Sequence, residues 1–263
     1  MINQFETVLF DVNDHVATIT LNRPAAMNSF NRKMVDEFAW LWRHIRENED
    51  IHCVVLRAAP GRAFSTGVDV KDPSFPDPNP NVWTHADPGE SLSPKQNKCW
   101  KPVITAVHGL CAGGAFYWLN ESDIIICDEG AQFFEPHVTY GMTAALEPIG
   151  MTYRMPLGDV LRMSLLGNDE RISAYTALRI GLVTEVTPAD ELWSRAQQMA
   201  ALIAAKPPAA IQGTVRSIWE SLDVHRSSAL QMALKYTQLG NPLGVPAVDR
   251  TALMGASKTF SIR

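Results

Sequence analysis

Residues 101–115 read KPVITAVHGLCAGGA, and this stretch decides the fold of the 263-residue chain. Val103–Val107 is a short run of apolar and β-branched residues, which predicts a buried strand. Glycines follow at Gly109, Gly113 and Gly114, and the apolar residues after them predict the start of a helix. A strand that enters a helix through a glycine-rich turn leaves backbone N–H groups and the positive end of the helix dipole facing a ligand.

A second glycine-centred turn lies upstream, where residues 62–71 read RAFSTGVDVK and also follow a predicted strand. Two turns of this kind can each direct one backbone N–H at the same oxygen atom. Such a pair of donors is an oxyanion hole, which stabilises the negative charge that develops on a carbonyl oxygen during a reaction. The sequence therefore predicts a site for chemistry at a carbonyl group.

Composition excludes several classes of function. The net charge is −5 and no run of five or more basic residues occurs, so neither a nucleic acid nor a membrane surface is an expected partner. No secretory leader is visible and no apolar run is long enough to span a bilayer, which predicts a cytoplasmic protein. The four cysteines lack Cys-x-x-Cys spacing, and nucleotide-binding motifs and metal-ligand clusters are absent. We therefore expect no metal site and no separate cofactor.

Strand and helix patterns alternate in the first part of the chain. Residues 8–21 predict two strands around an Asn-Asp turn, and residues 31–48 predict an amphipathic helix that leads to another buried strand. This order is typical of a βαβ-type sheet. From residue 191 the pattern is helical throughout. We expect an α/β core over residues 1–190 and a helical region over residues 191–263.

Residues 72–94 interrupt this pattern with six prolines, which rule out a long regular helix. A long insert of this composition is either a lid over a functional site or a disordered surface loop, and the sequence favours neither. Trp83 and His85 could enter a site from this segment, although solvent exposure in a loop is the favoured explanation for both.

Five segments in a fixed order resemble the crotonase (enoyl-CoA hydratase/isomerase) superfamily. These segments are residues 21–28, 62–71, 101–115, 174–186 and 206–208. The resemblance implies an α/β fold in which a spiral of ββα repeats forms the core and helices follow at the C-terminal end. It also implies a homotrimer or homohexamer that binds an acyl-CoA substrate, with coenzyme A as part of that substrate and no other cofactor.

The resemblance also assigns site residues position by position. It implies that the backbone N–H groups of Val68 and Gly114 form the oxyanion hole around the thioester carbonyl. It implies further that coenzyme A binds along the first turn and the segment before it. The residues concerned are Ala26, Ala63, Phe64, Gly67, Asp69 and Val70.

Two carboxylates that serve as acid and base in the hydratases of this family are missing. Their positions fall on Tyr117 and His137, so a simple hydratase mechanism cannot be transferred. His137 could act as a base, because its ordinary pKa lies near neutrality, and Tyr117 could donate a hydrogen bond. Glu147 stands before Pro148 in an apolar stretch, where a carboxylate is costly to bury without a purpose, and it is the favoured catalytic carboxylate.

Each of these residues also has a structural interpretation. Tyr117 can simply fill volume, and His137 can be a hydrogen-bonded structural histidine. Glu147 can pair with Arg154 or Arg162 at a contact between subunits. Glu121 shares a helix face with Tyr117 and is a weaker candidate. All of these alternatives stay open at this stage.

The sequence thus predicts an enzyme that stabilises a thioester enolate in a backbone oxyanion hole. Isomerisation or other non-hydratase chemistry is favoured, because moving a proton between two carbons needs one base, whereas water addition is better served by two groups. One alternative is a non-catalytic acyl-CoA-binding protein. Another is a CoA-thioester hydrolase, although no Gly-x-Ser-x-Gly elbow is present to support a covalent mechanism.

Overall fold

The computed structural model describes residues 5–73, 81, 83, 86–255 and 262. It contains two compact units, Met1–Ala204 and Ala205–Arg263. The strands of the first unit are β1 (Val8–Asn13), β2 (Val16–Leu21), β3 (Cys53–Ala58), β4 (Ala63–Ser65), β5 (Val103–Val107), β6 (Leu110–Ala112), β7 (Ile124–Asp128), β8 (Gln132–Phe134), β9 (Ile172–Ser173) and β10 (Glu185–Thr187). Its helices are α1 (Arg32–Glu47), α2 (Gly89–Leu92), α3 (Phe116–Asn120), α4 (Leu146–Met151), α5 (Leu157–Leu166), α6 (Ala174–Arg179) and α7 (Leu192–Ala204).

Two sheets form this unit. The larger sheet has the order β1-β2-β3-β5-β7-β10, and all its neighbours are parallel except the β1–β2 hairpin. The smaller sheet has the order β4-β6-β8-β9, with β4, β6 and β8 parallel. From β3 to β8 the strands alternate between the two sheets along the chain, so each repeat in this part adds one strand to both. The predicted α/β fold with a crotonase-like spiral is confirmed.

The core forms where α1 packs against the sheets. Asn31 caps this helix by accepting a hydrogen bond from the Met34 N–H at 3.0 Å. The apolar side chains repeat at three- and four-residue spacing, so one face is fully buried, as the periodicity predicts. Trp118 of α3 packs on this face, with ring centroids 5.1 Å from Phe38 and 6.2 Å from Phe64.

Helix α7 belongs to the first unit. Its small residues Ala196, Ala200 and Ala204 are spaced by four and lie buried with residues of β3, β5 and β7. Alanines let the helix backbone approach the sheet closely. The unit therefore ends at Ala204, one helix later than the predicted boundary at residue 190.

The second unit is helical. It contains α8 (Pro208–Glu220), α9 (Arg226–Gly244) and α10 (Arg250–Gly255), and α8 packs against α9. Across that contact, the Arg216 guanidinium lies 5.1 Å from the centre of the Tyr236 ring and forms an ion pair with Glu220. Among the described residues of the chain, no helix has both the length and the apolar character that crossing a membrane requires.

The proline-rich segment is described only in part. Residues 74–80, 82, 84 and 85, and with them His85, lie outside the described residues. Trp83 is 90% exposed. The end of the segment forms the short helix α2, which is held to the core by a 2.8 Å hydrogen bond from the Trp42 indole N–H to the Leu92 carbonyl oxygen.

Candidate active site

The two glycine turns (residues 65–68 and 112–115) meet at one edge of the smaller sheet. Because β4 and β6 are parallel neighbours, the turns that follow them leave the sheet at the same end. Gly67 has φ +84°, and a Cβ at this position would lie 2.7 Å from the Gly114 nitrogen and 3.1 Å from the Ala112 oxygen. Glycine is therefore required here both for its backbone conformation and for the close approach of the second turn.

Backbone hydrogen bonds hold both turns. The Phe30 N–H donates to the Gly67 oxygen, and the Asp69 N–H donates to the Phe30 oxygen, each at 2.8 Å, so the peptide of Val68 is fixed between them. Gly114 is the second residue of a 3-10 turn, Gly113–Ala115, in which the first N–H groups have no partner within the turn. A Cβ on Gly114 would lie 2.6 Å from the Phe30 ring, so only glycine allows this turn to pack so closely against Phe30.

His137 lies beside the second turn. A Cβ on Gly113 would be 3.7 Å from the His137 Cε1 atom. Glu135, which follows β8 and is fully buried, accepts the His137 backbone N–H at 3.1 Å and forms a hydrogen bond with Nδ1 of the imidazole through the same oxygen. This hydrogen bond raises the pKa of His137 above its usual range, against the opposing effect of burial.

Glu147 completes an acid–base cluster (Glu135, His137 and Glu147). It lies in the first turn of α4, is 5% exposed, and its Oε1 is 4.0 Å from the His137 Nε2. Burial is the main cause that raises the pKa of this carboxyl, and the nearby charge of Glu135 raises it further.

The predicted alternative partners of Glu147 are engaged elsewhere. Arg154 donates to the carbonyl oxygens of Asn120 and Ser122, and Arg162 forms an ion pair with Glu170. The Asn120 side chain also holds the start of α4, because its Nδ2 donates to the Glu147 backbone oxygen at 2.9 Å. Within one chain the two arginines thus contact other groups, and pairing of Glu147 with either of them at a subunit contact stays a prediction.

Tyr117 projects from α3 toward the same cluster. Its hydroxyl donates a 2.9 Å hydrogen bond to Oδ2 of Asp87, a residue just before α2. Burial, followed by the charges of Glu147 and Asp87, raises the pKa of Tyr117 far above its ordinary value. The hydroxyl consequently stays protonated and acts as a hydrogen-bond donor rather than as a base.

Comparisons with known proteins agree with this geometry. A family model described as enoyl-CoA hydratase/isomerase matches residues 11–239. This chain belongs to that family. It is 34% identical over 209 residues to (E)-benzylidenesuccinyl-CoA hydratase of Thauera aromatica, with 79% of this chain and 80% of that protein covered. It is 31% identical to 1,2-epoxyphenylacetyl-CoA isomerase of Escherichia coli, with 77% and 78% covered.

A solved structure supports the same assignment. The crystal structure of an enoyl-CoA hydratase/isomerase from Mycobacterium paratuberculosis superimposes with a TM-score of 0.87 at 32% identity, over 95% of this chain and 96% of that one. As a member of the enoyl-CoA hydratase/isomerase family, the protein is an enzyme that acts on acyl-CoA thioesters.

The residues expected to bind coenzyme A fall into two groups. Ala26 is half-buried in the 3-10 turn Pro24–Ala26, and Val70 is 79% exposed, so both are open to a ligand. Ala63 and Phe64 are buried strand residues of β4, and the Phe64 side chain packs against Trp118. A side-chain contact of Phe64 with a ligand is therefore not available, and only its backbone could contribute.

Two acidic residues serve the structure around the site. The Asp69 carboxylate accepts from Arg23 at 2.8 Å and from the Lys71 N–H at 3.1 Å, which fixes the first turn. Glu121 accepts the N–H groups of Lys95 and Gln96 and so holds the chain after α2. Glu121 thus follows directly after the helix of Tyr117 but does not join the acid–base cluster.

The acid–base cluster also has the composition of a metal site. One ligand atom from each of Glu135, His137 and Glu147 lies within 4.8 Å of the others. The Nδ1 atom of His137 is already engaged by Glu135, and Nε2 alone faces Glu147. This arrangement suits proton transfer along the cluster better than joint coordination of one ion.

Glu135 and Asp87 are the residues that sequence reasoning missed. Glu135 stands two positions before His137, a spacing that lets a carboxylate accept from the backbone and the ring of the same histidine. Asp87 lies in the proline-rich segment, and its position next to Gly89, whose N–H it accepts at 2.8 Å, is typical of a helix start.

Proposed function

We propose that this enzyme moves a proton on an acyl-CoA thioester through an enolate, and that double-bond isomerisation is its reaction. The thioester oxygen accepts hydrogen bonds from the N–H groups of Val68 and Gly114. The observation that supports the proposal most directly is the buried Glu147 carboxylate with its raised pKa. It lies 4.0 Å from His137, which is beside the second glycine turn.

The proposed reaction begins with removal of a proton from a carbon next to the thioester or conjugated with it. The ionised Glu147 takes this proton, and the electron pair of the C–H bond moves into the enolate. Two backbone N–H groups stabilise the negative charge that develops on oxygen, and a single such donor is worth about 3 to 4 kcal/mol in the transition state. Return of the proton to a different carbon completes the isomerisation.

The raised pKa of Glu147 suits this role. A carboxylate with an ordinary pKa is too weak a base for a carbon acid, whereas burial brings its proton affinity closer to that of the developing enolate. The Tyr117 hydroxyl stays protonated and stabilises the ionised form of Glu147. It thereby lowers the pKa of Glu147, but by less than burial raises that pKa.

Hydration is the second candidate. The 4.0 Å separation between His137 Nε2 and Glu147 Oε1 allows both atoms to hydrogen-bond one water molecule, which would provide the two groups that water addition needs. The similarity to (E)-benzylidenesuccinyl-CoA hydratase also favours this chemistry. A non-catalytic acyl-CoA-binding protein and a thioester hydrolase are the remaining outcomes of the test.

The coenzyme A moiety is proposed to lie along the first turn. Ala26, the exposed Val70 and the backbone of Ala63, Phe64 and Gly67 are the groups available to it, with Asp69 holding the turn through Arg23. A homotrimer or homohexamer in the cytoplasm stays a prediction, and light scattering of the purified protein measures the oligomeric state directly.

The test is a turnover screen in deuterated water with mass-resolved products. The purified protein is incubated with short, branched and cyclic enoyl-CoA esters, and Glu147→Gln is the matched control. Deuterium at the α- or γ-carbon with no other mass change is the expected result. Addition of one water supports the hydratase instead, and free coenzyme A supports a hydrolase. Binding of every ester without any exchange contradicts an enzymatic role.

A further inference from the structure

Glu135 is a buried carboxylate that the proposed chemistry does not use directly. It is fully buried, and in the described part of the chain its Oε2 has no hydrogen-bond partner. Its Oε1 interacts twice with the same residue, through the backbone N–H and the Nδ1 atom of His137. Burying a carboxylate is costly unless it is paired, so a carboxylate with a single partner residue points to a specific task for that pairing.

We propose that Glu135 is a positioning residue that accepts the Nδ1 proton of His137 and thereby keeps Nε2 directed at Glu147. In this arrangement one proton resides either on the His137 Nε2 or on the Glu147 Oε1, and it passes between these atoms, 4.0 Å apart, through one water molecule. Glu147 is the base when the proton lies on His137, and His137 is the base when the proton lies on Glu147. The inference rests on the proposed function, because it assigns the roles of two groups in that reaction.

The geometry supports this orientation from both sides of the ring. Glu135 contacts the imidazole at Nδ1, and Glu147 of α4 faces it 4.0 Å from Nε2. The 3-10 turn Gly113–Ala115 presents only backbone near Cε1, since Gly113 has no side chain. Tyr117 of α3 interacts with Glu147 and donates a hydrogen bond from its hydroxyl to Asp87. Its effect on the imidazole is therefore indirect, through Glu147.

The charges around the imidazole favour its protonated form. Two carboxylates, Glu135 and Glu147, face one histidine, and both raise the pKa of His137. A histidine whose Nδ1 proton is held by a carboxylate also has a fixed tautomer, because only Nε2 is then free to gain or lose a proton. A fixed tautomer with Nε2 facing a second carboxylate is what a proton-transfer role needs, whereas a purely structural histidine does not need it.

Nitrogen-15 NMR of histidine-labelled protein tests the inference without any substrate. His137 is assigned from the His137→Ala spectrum. In the wild type we expect Nδ1 to stay protonated through the titration while Nε2 titrates, at a pH above the ordinary value for histidine. In Glu135→Gln, which keeps the shape and removes the charge, we expect the proton affinity of His137 to fall about tenfold or more. The matched control is Glu121→Gln, a half-buried carboxylate that contacts other residues, and it should leave the His137 titration unchanged.

Two outcomes overturn the inference. One is a wild-type His137 whose neutral form carries its proton on Nε2. The other is a Glu135→Gln variant that is folded and titrates at His137 as the wild type does. Should Glu135→Gln not fold, the wild-type tautomer decides the question alone. Glu135→Gln is also expected to lower kcat more than it changes KM, and to shift the limb of the pH–rate profile that belongs to His137 toward acid pH.

The test also separates this inference from the proposed function. If the wild type turns over no ester but the His137 titration responds to Glu135→Gln, the pairing stands and the reaction is wrong. If the wild type is active and Glu135→Gln keeps its kcat and pH profile, the reaction stands and the positioning role is wrong. A Zn²⁺ titration in the same spectra checks the competing use of the cluster: displacement of the Nδ1 proton by one equivalent of Zn²⁺, with loss of activity on chelation, would overturn the proton-sharing arrangement.

Discussion

The two glycine turns and the acid–base cluster lie next to each other, but the turns contribute backbone groups and the cluster contributes ionisable side chains. The turns contribute backbone, and they do so because Gly67 and Gly114 leave no side chain in the way. The cluster contributes side chains whose protonation depends on burial and on one another. A change of side chain at the turns therefore alters geometry, whereas an isosteric change in the cluster alters charge.

The two parts also tolerate different kinds of variation. A backbone N–H is supplied by any residue, so Val68 can serve where its side chain is accommodated. An acid or base must have a suitable pKa, and that value depends on every charged neighbour. The turns of this enzyme accordingly keep the pattern that the family resemblance implies, while Tyr117 and His137 stand where that resemblance places carboxylates. The difference between geometry and charge leads to three expectations.

The largest expected effect is in the cluster. Replacing Glu147 by Gln removes the proposed base without changing its shape, so deuterium exchange at the substrate carbon should fall by about 10²- to 10⁴-fold. Binding of the acyl-CoA ester should change little, because the backbone donors remain. Rates from single-turnover mass spectrometry, together with a binding isotherm, measure the two separately.

Glu121→Gln is the matched control for that substitution. Glu121 is half-buried, and desolvation likewise raises the pKa of its carboxyl, but it accepts the N–H groups of Lys95 and Gln96. It should retain most of the activity and lose thermal stability instead. Equal losses of activity in both variants would show that burial of a carboxylate, and not its place beside His137, accounts for the effect.

The next effect is at the turns. In Gly67→Ala the new Cβ would lie 2.7 Å from the Gly114 nitrogen, and φ +84° is a conformation that alanine adopts only at a cost. The two turns must separate, so a proposed oxyanion donor is lost and kcat/KM should fall by about 10²- to 10³-fold. Steady-state kinetics and thermal unfolding on the same samples measure activity and stability together.

Gly141→Ala controls for backbone strain alone. Gly141 has φ +74°, close to that of Gly67, but nothing lies within 4 Å of the position its Cβ would take. This variant should lose stability and keep most of its activity. A Gly67→Ala enzyme that is destabilised to the same extent and remains active would contradict the role of the turns.

Much of the fold could be predicted from the sequence, because its signals are local. The run Val103–Val107 is buried, as its composition indicates. Gly67 and Gly113 have the positive φ that favours glycine in a tight turn. The end of the first unit could not be predicted in the same way. Helix α7 has an ordinary amphipathic pattern, and only the sheet against which Ala196 and Ala200 pack shows that it belongs to the core.

Part of the candidate site could be predicted from the sequence, where a single residue stands out from its neighbours. Glu147 stands out as a carboxylate in an apolar stretch, and the structure places it against His137. Glu135 could not be identified, since its contact with His137 depends on how the chain turns after β8. Asp87 was also missed, because its partner Tyr117 lies 30 residues away and only the packing of α2 on α3 brings the two together.

The smallest expected effect concerns Tyr117, which lies between the two parts of the site. Its ring is 3.5 Å from the position of a Cβ on Gly114, and its hydroxyl donates to Asp87. Because burial and two carboxylates raise its pKa far above neutrality, the hydroxyl keeps its proton throughout the working range. Tyr117→Phe removes one neutral donor, and activity should fall about three- to tenfold.

The pH–rate profile of Tyr117→Phe decides between a donor and an acid. A donor that never titrates leaves both limbs of the profile in place, apart from a small shift of the Glu147 limb toward higher pH. That shift has a definite sign, because the hydroxyl lowers the pKa of Glu147 and its loss lets that pKa rise. Tyr140→Phe, an exposed tyrosine bonded to Asn168, serves as the control and should match the wild type. A loss of a hundredfold or more in Tyr117→Phe would instead place this hydroxyl among the groups that transfer protons. Tyr117 would then belong to the acid–base cluster, and the separation between that cluster and the glycine turns would not hold at this residue.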